Sequence, residues 1–471
     1  MKEKLDFKKV NKIHLIGIKG SAMTALAELL VQKGYEVTGS DCNDTFYTDE
    51  VLQTAGIKYF EEFDKNHIKN DIDLIIYSTA YKTDNCELRQ AKIKKIPQLS
   101  YPQAVSIFFN QKFGIAVCGT HGKTTTSAML AHILLKNNKD PLAIIGSKVK
   151  NWNSSALTGE GKYFVIEADE YQNKLKYLFP GAVILTNVDY DHPDYFKTKK
   201  QYEKVFFDFL KKLKPENFLV YNLDDQTSQK MAQDKSIKCV KITISSKNKK
   251  ADYFILSRSF TKDNLQEIKF QNIEGKQFKL NLKLSGIHNA LNALASIAMA
   301  KKLGISEKKS SKVLEDFFSS QRRFQKMGEF KGALLFDDYA HHPKEIEVTI
   351  RGARERFPDK KIIIGFHPHT FSRTKKFLKE FAQSLAMADK VYVIDIYSSA
   401  REKKQKDSVH SKDLVKLINQ AATNKAFYLP DIKALGVDLK KKLYQDAIFI
   451  SMGAGDIWKV HSEILEQKND I

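Results

Sequence analysis

Short apolar runs alternate with longer amphipathic stretches along most of the chain. Residues 13–17, 74–78 and 113–118 are apolar runs of strand length, whereas apolar positions in residues 22–33 and 85–93 recur at helical spacing. Alternation of this kind is typical of parallel sheets, because each crossover between parallel strands is made by a covering helix. The pattern therefore predicts the α/β fold class.

The same pattern starts three times along the chain. A chain of 471 residues is too long for a single hydrophobic core. A strand followed by a glycine turn occurs at residues 13–20 and again at residues 113–122, and a third start is the strand at residues 333–336. We expect three domains, which span residues 1–108, 109–319 and 320–471.

The strongest local signal is the glycine-rich turn at residues 119–126, between an apolar strand and a helix. Backbone N–H groups of such a loop attract phosphate, Lys123 can reach the β- and γ-phosphates, and the Thr124 hydroxyl can bind Mg²⁺. Val117 stands where a general P-loop has its first glycine. We predict phosphate binding here, by Gly119, Thr120, His121, Gly122, Lys123, Thr124 and Thr125.

Two groups of polar residues follow neighbouring apolar strands. Residues 167–171 come directly after the strand at residues 163–166, and residues 186–192 come after the strand at residues 183–185. Parallel sheets place their ligands at such strand ends, and carboxylates there suit a magnesium–nucleotide complex. Together with the phosphate-binding loop, these groups predict a metal–nucleotide site.

The first glycine turn is similar to a dinucleotide-binding fingerprint with two defects. Lys19 and Ala22 replace its second and third glycines, while Asp41 lies at the distance expected for a ribose-binding acid. Alone, this turn would suggest a nicotinamide-dependent dehydrogenase. The phosphate-binding loop in the next predicted domain argues against that class.

Three further segments carry polar residues next to helices. His288, Asn289 and Asn292 lie near the start of one helix, where helix capping is the alternative to ligand binding. Residues 337–345 and 367–374 are loops rich in His, Asp and Arg after strands, and they suggest a cleft for anionic ligands. Zinc is an alternative, although neither loop has the usual ligand spacing.

Composition limits the remaining classes of function. The net charge is +21, but the positive charges are mostly lysines spread over predicted surface helices, without a basic–aromatic motif. We therefore expect no nucleic-acid partner, although an ATPase stimulated by nucleic acid stays an alternative. The four cysteines form no CxxC pair, and no apolar run reaches the roughly 20 residues of a membrane helix. We expect a cytoplasmic monomer or dimer without membrane insertion.

In this order, the motifs resemble those of the Mur ligases of peptidoglycan synthesis over nearly the whole chain. The matching segments are residues 14–18 with Met23, 40–41, 119–126, 167–170, 187–192, 288–289 with 292–293, 322–325, 337–343, and 368–369 with 372–374. The resemblance implies an N-terminal Rossmann-like domain for a UDP-sugar, a central P-loop ATPase domain and a C-terminal Rossmann-like domain. It also implies ATP and Mg²⁺, with two ions expected and Mn²⁺ as a substitute.

The resemblance also assigns roles to individual residues. Metal ligands would be Thr124, Glu167 and His192. Nucleotide contacts beyond the loop would be His288, Asn289, Asn292, Arg323 and Asp338. The UDP-sugar pocket would contain Gly17, Gly20, Ser21, Asp41, Thr79 and Ala80. The incoming amino acid and the muramyl carboxylate would lie near Tyr339, His341 and Arg373. The predicted catalytic residues are Lys123, Glu167, His192, His341 and Arg373.

Within the family, the motifs are most similar to those of the ligase that joins L-alanine to UDP-N-acetylmuramic acid. Phe206 supports this activity, because several other members have a carbamylated lysine there. Tyr171 stands where this ligase usually has serine and is closer to a recycling ligase that adds a tripeptide to the same sugar. Thr370 and His367 replace a usual arginine and glutamine. The recycling activity is therefore the main alternative.

The resemblance implies chemistry through an acyl phosphate. The muramyl carboxylate would attack the γ-phosphorus of ATP, and the amine of L-alanine would then attack the acyl carbon. The amine has to lose a proton before it attacks, so a general base is needed. His341 is our candidate, because an imidazole titrates near neutral pH, and a substrate phosphate is the alternative.

Overall fold

The computed structural model describes residues 7–397, 409–422 and 424–465. It contains three sheets, of five, ten and six strands, each covered by helices. The predicted α/β class is therefore confirmed. The longest described helix has 16 residues, and no helix in this part of the chain has the length and apolar character that crossing a bilayer requires.

The first sheet is parallel throughout and has the strand order β3-β2-β1-β4-β5. Its strands are β1 (Lys12–Ile16), β2 (Glu36–Ser40), β3 (Lys58–Phe60), β4 (Leu74–Tyr77) and β5 (Gln98–Ser100). Its helices are α1 (Ser21–Gln32), α2 (Thr48–Thr54), α3 (Cys86–Ile93) and α4 (Tyr101–Phe109). Short 3-10 helices cover Phe7–Lys9 and Lys65–His67.

The second sheet has the order β15-β14-β13-β12-β11-β10-β6-β9-β7-β8, with antiparallel pairs at both edges. The strands are β6 (Phe113–Cys118), β7 (Leu142–Val149), β8 (Ser154–Thr158), β9 (Tyr163–Glu167), β10 (Ala182–Leu185), β11 (Phe218–Asn222), β12 (Val240–Ser245), β13 (Tyr253–Phe260), β14 (Gln266–Gln271) and β15 (Gln277–Leu282). The helices are α5 (Lys123–Lys136), α6 (Lys199–Leu210), α7 (Gln226–Ala232), α8 (Ile287–Lys302) and α9 (Glu307–Leu314), with a 3-10 segment at Tyr171–Tyr177.

The third sheet has the order β16-β17-β21-β18-β19-β20, and only its edge pair β16–β17 is antiparallel. The strands are β16 (Gln325–Phe330), β17 (Ala333–Asp338), β18 (Lys361–Phe366), β19 (Lys390–Val393), β20 (Ala426–Tyr428) and β21 (Ala447–Met452). The helices are α10 (Pro343–Arg356), α11 (Phe371–Lys376), α12 (Leu378–Leu385), α13 (Ser411–Ala421), α14 (Ile432–Lys442) and α15 (Val460–Leu465), with a 3-10 turn at Ile457–Lys459.

The first and second sheets are joined through helix α1, which packs on β7 and β8. The buried carboxylate of Glu28 accepts hydrogen bonds from Ser154 Oγ (2.8 Å) and from the backbone N–H of Ser155 (3.0 Å). Because a buried carboxylate needs such partners, this contact fixes α1 against the second sheet. The turn before α1 is thereby held near the carboxyl ends of β6 and β9.

Helix α5 begins at Lys123, inside the segment that the sequence analysis assigns to the glycine-rich turn at residues 119–126. Gly122 has a φ of 80°, which ends the loop in the left-handed region, and its carbonyl already accepts a hydrogen bond from Thr126 N (3.0 Å). The threonines at residues 124–126 are therefore helical rather than part of the loop. Lys123 consequently lies in the first turn of the helix, beside the phosphate-binding loop.

His132 provides a test of the core around α5. Its side chain is buried beside the rings of Trp152 and Phe317, and burial lowers its pKa to about 4. The imidazole is neutral in the folded protein, whereas the unfolded chain takes up a proton near pH 6.5. Stability from this residue is therefore present above pH 6.5 and is lost as the pH falls towards 4.

We predict that His132→Leu removes about 2 kcal/mol of the stability loss between pH 7 and pH 5. Urea unfolding followed by Trp152 fluorescence in a Trp458→Phe background would measure it. An identical pH dependence for His132→Leu and the parent protein would contradict the prediction.

Candidate active site

The loop between β6 and α5 can form only with glycine at two positions. Gly119 has a φ of 130°, and a Cβ there would lie 2.2 Å from Thr186 Oγ1. Gly122 has a φ of 80°, and a Cβ there would lie 2.7 Å from Asn292 Oδ1. The N-terminus of α5 is thus left open towards a cavity, which is the arrangement of a phosphate-binding loop.

Lys123 lies at the centre of this site. Its ammonium group donates hydrogen bonds to the carbonyl oxygens of Gly119 (2.6 Å) and Thr120 (2.9 Å) and to Glu170 Oε2 (3.1 Å). Burial alone would lower the pKa of Lys123, but the carboxylates of Glu170, Asp169 and Glu167 raise it above its ordinary value. The side chain is therefore charged, and it folds back over the loop that precedes it.

The predicted metal ligands fall into two neighbouring groups. Thr124 Oγ1 donates to Glu167 Oε1 (2.8 Å), and the other oxygen of Glu167 accepts from Gly146 N. His192 instead belongs with Asp169 and Glu170, whose ligand atoms all lie within 4.8 Å of one another. The sequence-based set of Thr124, Glu167 and His192 therefore omits two carboxylates that the structure places beside His192.

The ligand types at this point suit a divalent cation. Burial raises the pKa values of Asp169 and Glu170, but nearby lysines, Lys174 first for Asp169 and Lys123 for Glu170, lower them below the ordinary values. Burial lowers the pKa of His192, but the carboxylates of Asp191 and Glu170 raise it above its ordinary value. Hydroxyl and carboxylate oxygens are the ligands that Mg²⁺ prefers, so these residues fit the ion.

The segment that follows the second sheet also contacts the phosphate-binding site. Arg323 donates from its guanidinium group to Thr124 Oγ1 (3.2 Å), across the boundary between the second and third sheets. Asp338 accepts from the backbone N–H groups of Phe324 and Ala340 (both 2.8 Å), and burial raises its pKa to about 6. The neighbouring Arg322 is occupied in the third sheet, where it pairs with Asp337.

The predicted nucleotide contacts on α8 hold one another in place. Asn289 Nδ2 donates to the carbonyl of Ser285 (2.8 Å), and Asn292 Nδ2 donates to Asn289 Oδ1 (3.3 Å). His288 packs against Gly286, and burial lowers its pKa to about 4. Asn292 also lies against the phosphate-binding loop, so this helix end and the loop form one unit.

His341 lies in the cavity wall, but it does not titrate where the sequence analysis expects. Burial lowers its pKa to about 4, and its Nδ1 lies 2.9 Å from the carbonyl oxygen of Tyr339. The imidazole is therefore neutral at pH 7 and can accept a proton, but it is a weaker base than a solvated imidazole. Tyr339, whose ring centre lies 5.2 Å away, also lines the cavity.

Arg373 is predicted to meet a substrate carboxylate, but here it is paired within the protein. Its guanidinium group donates to both carboxylate oxygens of Asp191, at 3.0 and 3.2 Å, and both side chains are buried. Burial raises the pKa of Asp191, but the charge of Arg373 lowers it well below its usual range. The pair connects the loop after β10 to helix α11.

The predicted sugar-nucleotide residues divide into two sets. Gly20, Ser21 and Thr79 line the cavity. Gly17, Asp41 and Ala80 lie outside its wall. Asp41 accepts hydrogen bonds from Lys19 N (2.8 Å), Tyr81 Oη (2.7 Å) and Cys42 N (2.9 Å). Asp41 therefore holds the first glycine turn in shape.

The cavity has a volume of about 370 Å³ and is lined by residues from all three sheets. Predicted residues in its wall are Gly20, Ser21, Thr79, Thr120, Gly122, Lys123, Thr124, Glu167, His192, Arg323, Tyr339 and His341. Predicted residues outside the described wall are Gly17, Asp41, Ala80, Gly119, His121, Thr125, His288, Asn289, Asn292, Asp338 and Arg373.

Several residues in the wall were not predicted. Tyr47, Tyr101 and Lys174 line the cavity, and Tyr47 Oη donates to Ser21 Oγ. No local motif marks the two tyrosines, because they reach the cavity only through the packing of the first sheet on the second. Lys174 follows Gln172 and Asn173, both with positive φ, which turn the chain back towards the site.

Tyr171 and Thr370, two of the residues that depart from the pattern of the L-alanine ligase, make contacts within the protein. Tyr171 donates to Asp194 Oδ2 (2.7 Å), and its ring lies 4.8 Å from that of His192. Thr370 has a φ of 69° at the start of α11, and its N–H donates to Tyr397 O (3.0 Å). Tyr171 thus positions His192, while Thr370 shapes the turn that carries Arg373.

A glycine-rich loop that joins a buried strand to a helix N-terminus carrying Lys123 and Thr124 places the protein among the P-loop nucleotide-binding proteins. Comparison with protein families is more specific. The profile of the Mur ligase middle domain matches residues 117–300, that of the Mur ligase family catalytic domain matches residues 12–113, and that of the Mur ligase glutamate ligase domain matches residues 322–455. The chain belongs to the Mur ligase family, which confirms the resemblance inferred from its motifs.

Individual relatives cover nearly the whole chain. The UDP-N-acetylmuramate–L-alanine ligase of Desulfitobacterium hafniense is 37% identical over 96% of this chain and 99% of its own length. That of Acetivibrio thermocellus is 38% identical over 98% and 97%. Among solved structures, the UDP-N-acetylmuramate–alanine ligase of Thermotoga maritima has a TM-score of 0.81 at 27% identity, covering 96% of this chain and 98% of that one. A murein peptide ligase of Psychrobacter arcticus has a TM-score of 0.74 at 25% identity, with 97% and 98% covered.

The buried Asp191–Arg373 pair leads to a stability prediction. Asp191→Asn leaves the guanidinium group buried without its counter-charge, and we expect a loss of about 3 kcal/mol in the free energy of unfolding. Urea unfolding followed by fluorescence would measure it. Asp208→Asn, in an exposed pair with Lys204, should cost less than about 0.5 kcal/mol. Equal losses for the two variants would contradict the prediction.

Proposed function

We propose that the chain is an ATP-dependent amide ligase that joins L-alanine to UDP-N-acetylmuramic acid. The observation that carries the proposal is the single cavity in which the phosphate-binding loop, the carboxylate cluster and the first glycine turn meet. The relatives named as UDP-N-acetylmuramate–L-alanine ligases support the choice of substrates. The product is a precursor for peptidoglycan synthesis.

We assign one function to each of the three predicted domains. Residues 1–108 bind the UDP-sugar through the turns that contain Gly20, Ser21 and Thr79. Residues 109–319 bind ATP and the metal. Residues 320–471 bring Tyr339, His341 and Arg323 over the cavity. This division is consistent with the sides from which these residues enter the cavity wall.

Divalent ions would be held by Thr124 and Glu167 and by Asp169, Glu170 and His192. We propose two Mg²⁺ ions, with Mn²⁺ as a substitute, and they would neutralise phosphate charge.

The reaction proceeds in two steps. The muramyl carboxylate attacks the γ-phosphorus of ATP, giving an acyl phosphate and ADP, while Lys123 neutralises the phosphate oxygens. The amine of L-alanine then attacks the acyl carbon, and the tetrahedral intermediate collapses to the amide and inorganic phosphate. His341 takes the proton from the amine, which its neutral imidazole allows. Closure of residues 320–471 over the cavity keeps water from the acyl phosphate.

The recycling ligase is the second candidate. Tyr171 and the similarity to a murein peptide ligase favour it. However, Tyr171 contacts His192 and Asp194 instead of lining the cavity, so it does not select the incoming amine directly. The L-alanine ligase is therefore the better supported activity.

A substrate panel separates the two candidates. We expect phosphate release with Mg²⁺-ATP, UDP-N-acetylmuramic acid and L-alanine, with the amide confirmed by mass spectrometry. The panel contains L-Ala, L-Ser, Gly, D-Glu and the L-Ala-γ-D-Glu-diamino acid tripeptide. Release only with the tripeptide would establish the recycling activity instead. Release that rises with DNA or RNA and needs no sugar would overturn both.

Lys123→Ala tests the division of tasks. We expect turnover to fall by about 1,000-fold or more, because the phosphate charge is no longer neutralised. Binding of UDP-N-acetylmuramic acid, measured by calorimetry, should stay within about 3-fold, since Lys123 is in helix α5 of the ATP-binding domain and not in the sugar-binding domain. Lys136→Ala, at the exposed end of the same helix, is the matched control. Loss of sugar binding in Lys123→Ala would contradict the assignment.

A further inference from the structure

His121 lies outside the cavity wall, whereas its neighbours Thr120 and Gly122 line it. Its Nδ1 lies 3.1 Å from Glu345 Oε1, and its Nε2 lies 3.4 Å from Asp189 Oδ2. The ring centre is 4.7 Å from that of His342. The imidazole thus lies between the second and third sheets, with a carboxylate on each side.

The backbone of His121 is fixed to the second sheet. Its N–H donates to Asn187 Oδ1 (2.9 Å), and its carbonyl accepts from Thr186 Oγ1 (2.6 Å) and Asn187 Nδ2 (3.1 Å). With three backbone hydrogen bonds, the loop cannot shift at this residue without breaking them. The contacts of the His121 side chain therefore bear directly on the position of the loop that precedes Lys123.

The partner of His121 is equally well fixed in the third sheet. Glu345 is in the first turn of α10, and its Oε2 accepts from the N–H groups of His341 (3.1 Å) and His342 (3.3 Å). One carboxylate oxygen thus caps its own helix, while the other receives His121. His341, in the cavity wall, therefore depends on the same carboxylate.

The opposite charges of His121 and Glu345 strengthen this contact. Burial lowers the pKa of His121, but the carboxylates of Asp189 and Glu345 raise it to about 9, so that the ring is charged at pH 7. Both His121 and Glu345 are largely shielded from water, with 14% and 13% of their side chains exposed. A charge-assisted hydrogen bond in such surroundings is stronger than one at the surface.

We infer that His121 is a positioning residue: by binding Glu345, it connects the phosphate-binding loop to the start of helix α10 and so aligns His341 with the nucleotide. The inference rests on the proposed function for its catalytic readout. In this role, His121 contacts neither ATP nor the other substrates, whereas the sequence analysis predicts that it contacts phosphate.

A double-mutant cycle tests the inference with His121→Asn, Glu345→Gln and the combined variant. Glutamine can still cap α10, and asparagine can still donate, so each change removes chiefly the charge. We expect each single variant to lose about 10- to 100-fold in kcat, with KM for ATP within about 3-fold. The kcat of the combined variant should be no lower than that of the less active single variant, because both changes remove the same interaction.

Glu347→Gln is the matched control. Glu347 is on the same helix but pairs with Lys344 and Arg351 at the surface, so kcat should be unchanged. A rise in KM for ATP in His121→Asn, with losses that multiply in the combined variant, would identify His121 as a phosphate contact and overturn the inference.

A second measurement needs no amino-acid substrate. Amide hydrogen exchange of residues 341–345 should slow when Mg²⁺ and a non-hydrolysable ATP analogue bind to the parent protein, but not to His121→Asn. Equal protection in both proteins would overturn the inference. Protection in the parent protein without ligation of L-alanine would instead reject the proposed function and leave the positioning role intact.

Discussion

The site depends on one ammonium group buried among carboxylates. Lys123 lies at the start of α5, and Glu167, Asp169 and Glu170 all raise its pKa. Because a buried charge requires compensation, the loop after β9 cannot move away from α5 without a large free-energy cost. Tyr202 extends the network, since its hydroxyl donates to Glu170 Oε1 and lies 2.8 Å from Thr120 Oγ1. The carboxylate oxygens of this cluster are ligands that suit a divalent ion.

Charged groups connect the third sheet to that centre. Arg373 pairs with Asp191, Arg323 reaches Thr124, and Glu345 receives His121. Each contact joins a loop at the phosphate or metal end of the second sheet to a residue that approaches from the third. Polar contacts of this kind specify one orientation, whereas an apolar interface tolerates sliding. The cavity is therefore complete only in one arrangement of the sheets.

The sequence was sufficient for the fold class and for the phosphate-binding loop, because both depend on local patterns. Strand periodicity and glycine spacing are set within about ten residues, so they can be read without tertiary contacts. The sequence predicted that residues 167–171 and 186–192 share one site, but it did not show that Asp169 and Glu170 are the carboxylates beside His192. That choice depends on the alignment of β9 and β10 with β6 between them. The low pKa of His341 could likewise not be predicted from the sequence, because it is caused by burial of the side chain under other segments.

In the first glycine turn, substitutions in the dinucleotide-binding motif change which ligand the turn can bind. Lys19 stands at a glycine position of the dinucleotide fingerprint, and its ammonium group pairs with Glu61 (2.8 Å) and Asp49 (3.4 Å). The ring of Tyr81 covers Gly17, where a dinucleotide would need close backbone approach. Since Asp41 is also occupied by protein donors, the turn is closed to a nicotinamide dinucleotide along its usual path. What stays open is the edge at Gly20 and Ser21, which faces the phosphate-binding loop across the cavity, as a ligase that joins two bound substrates requires.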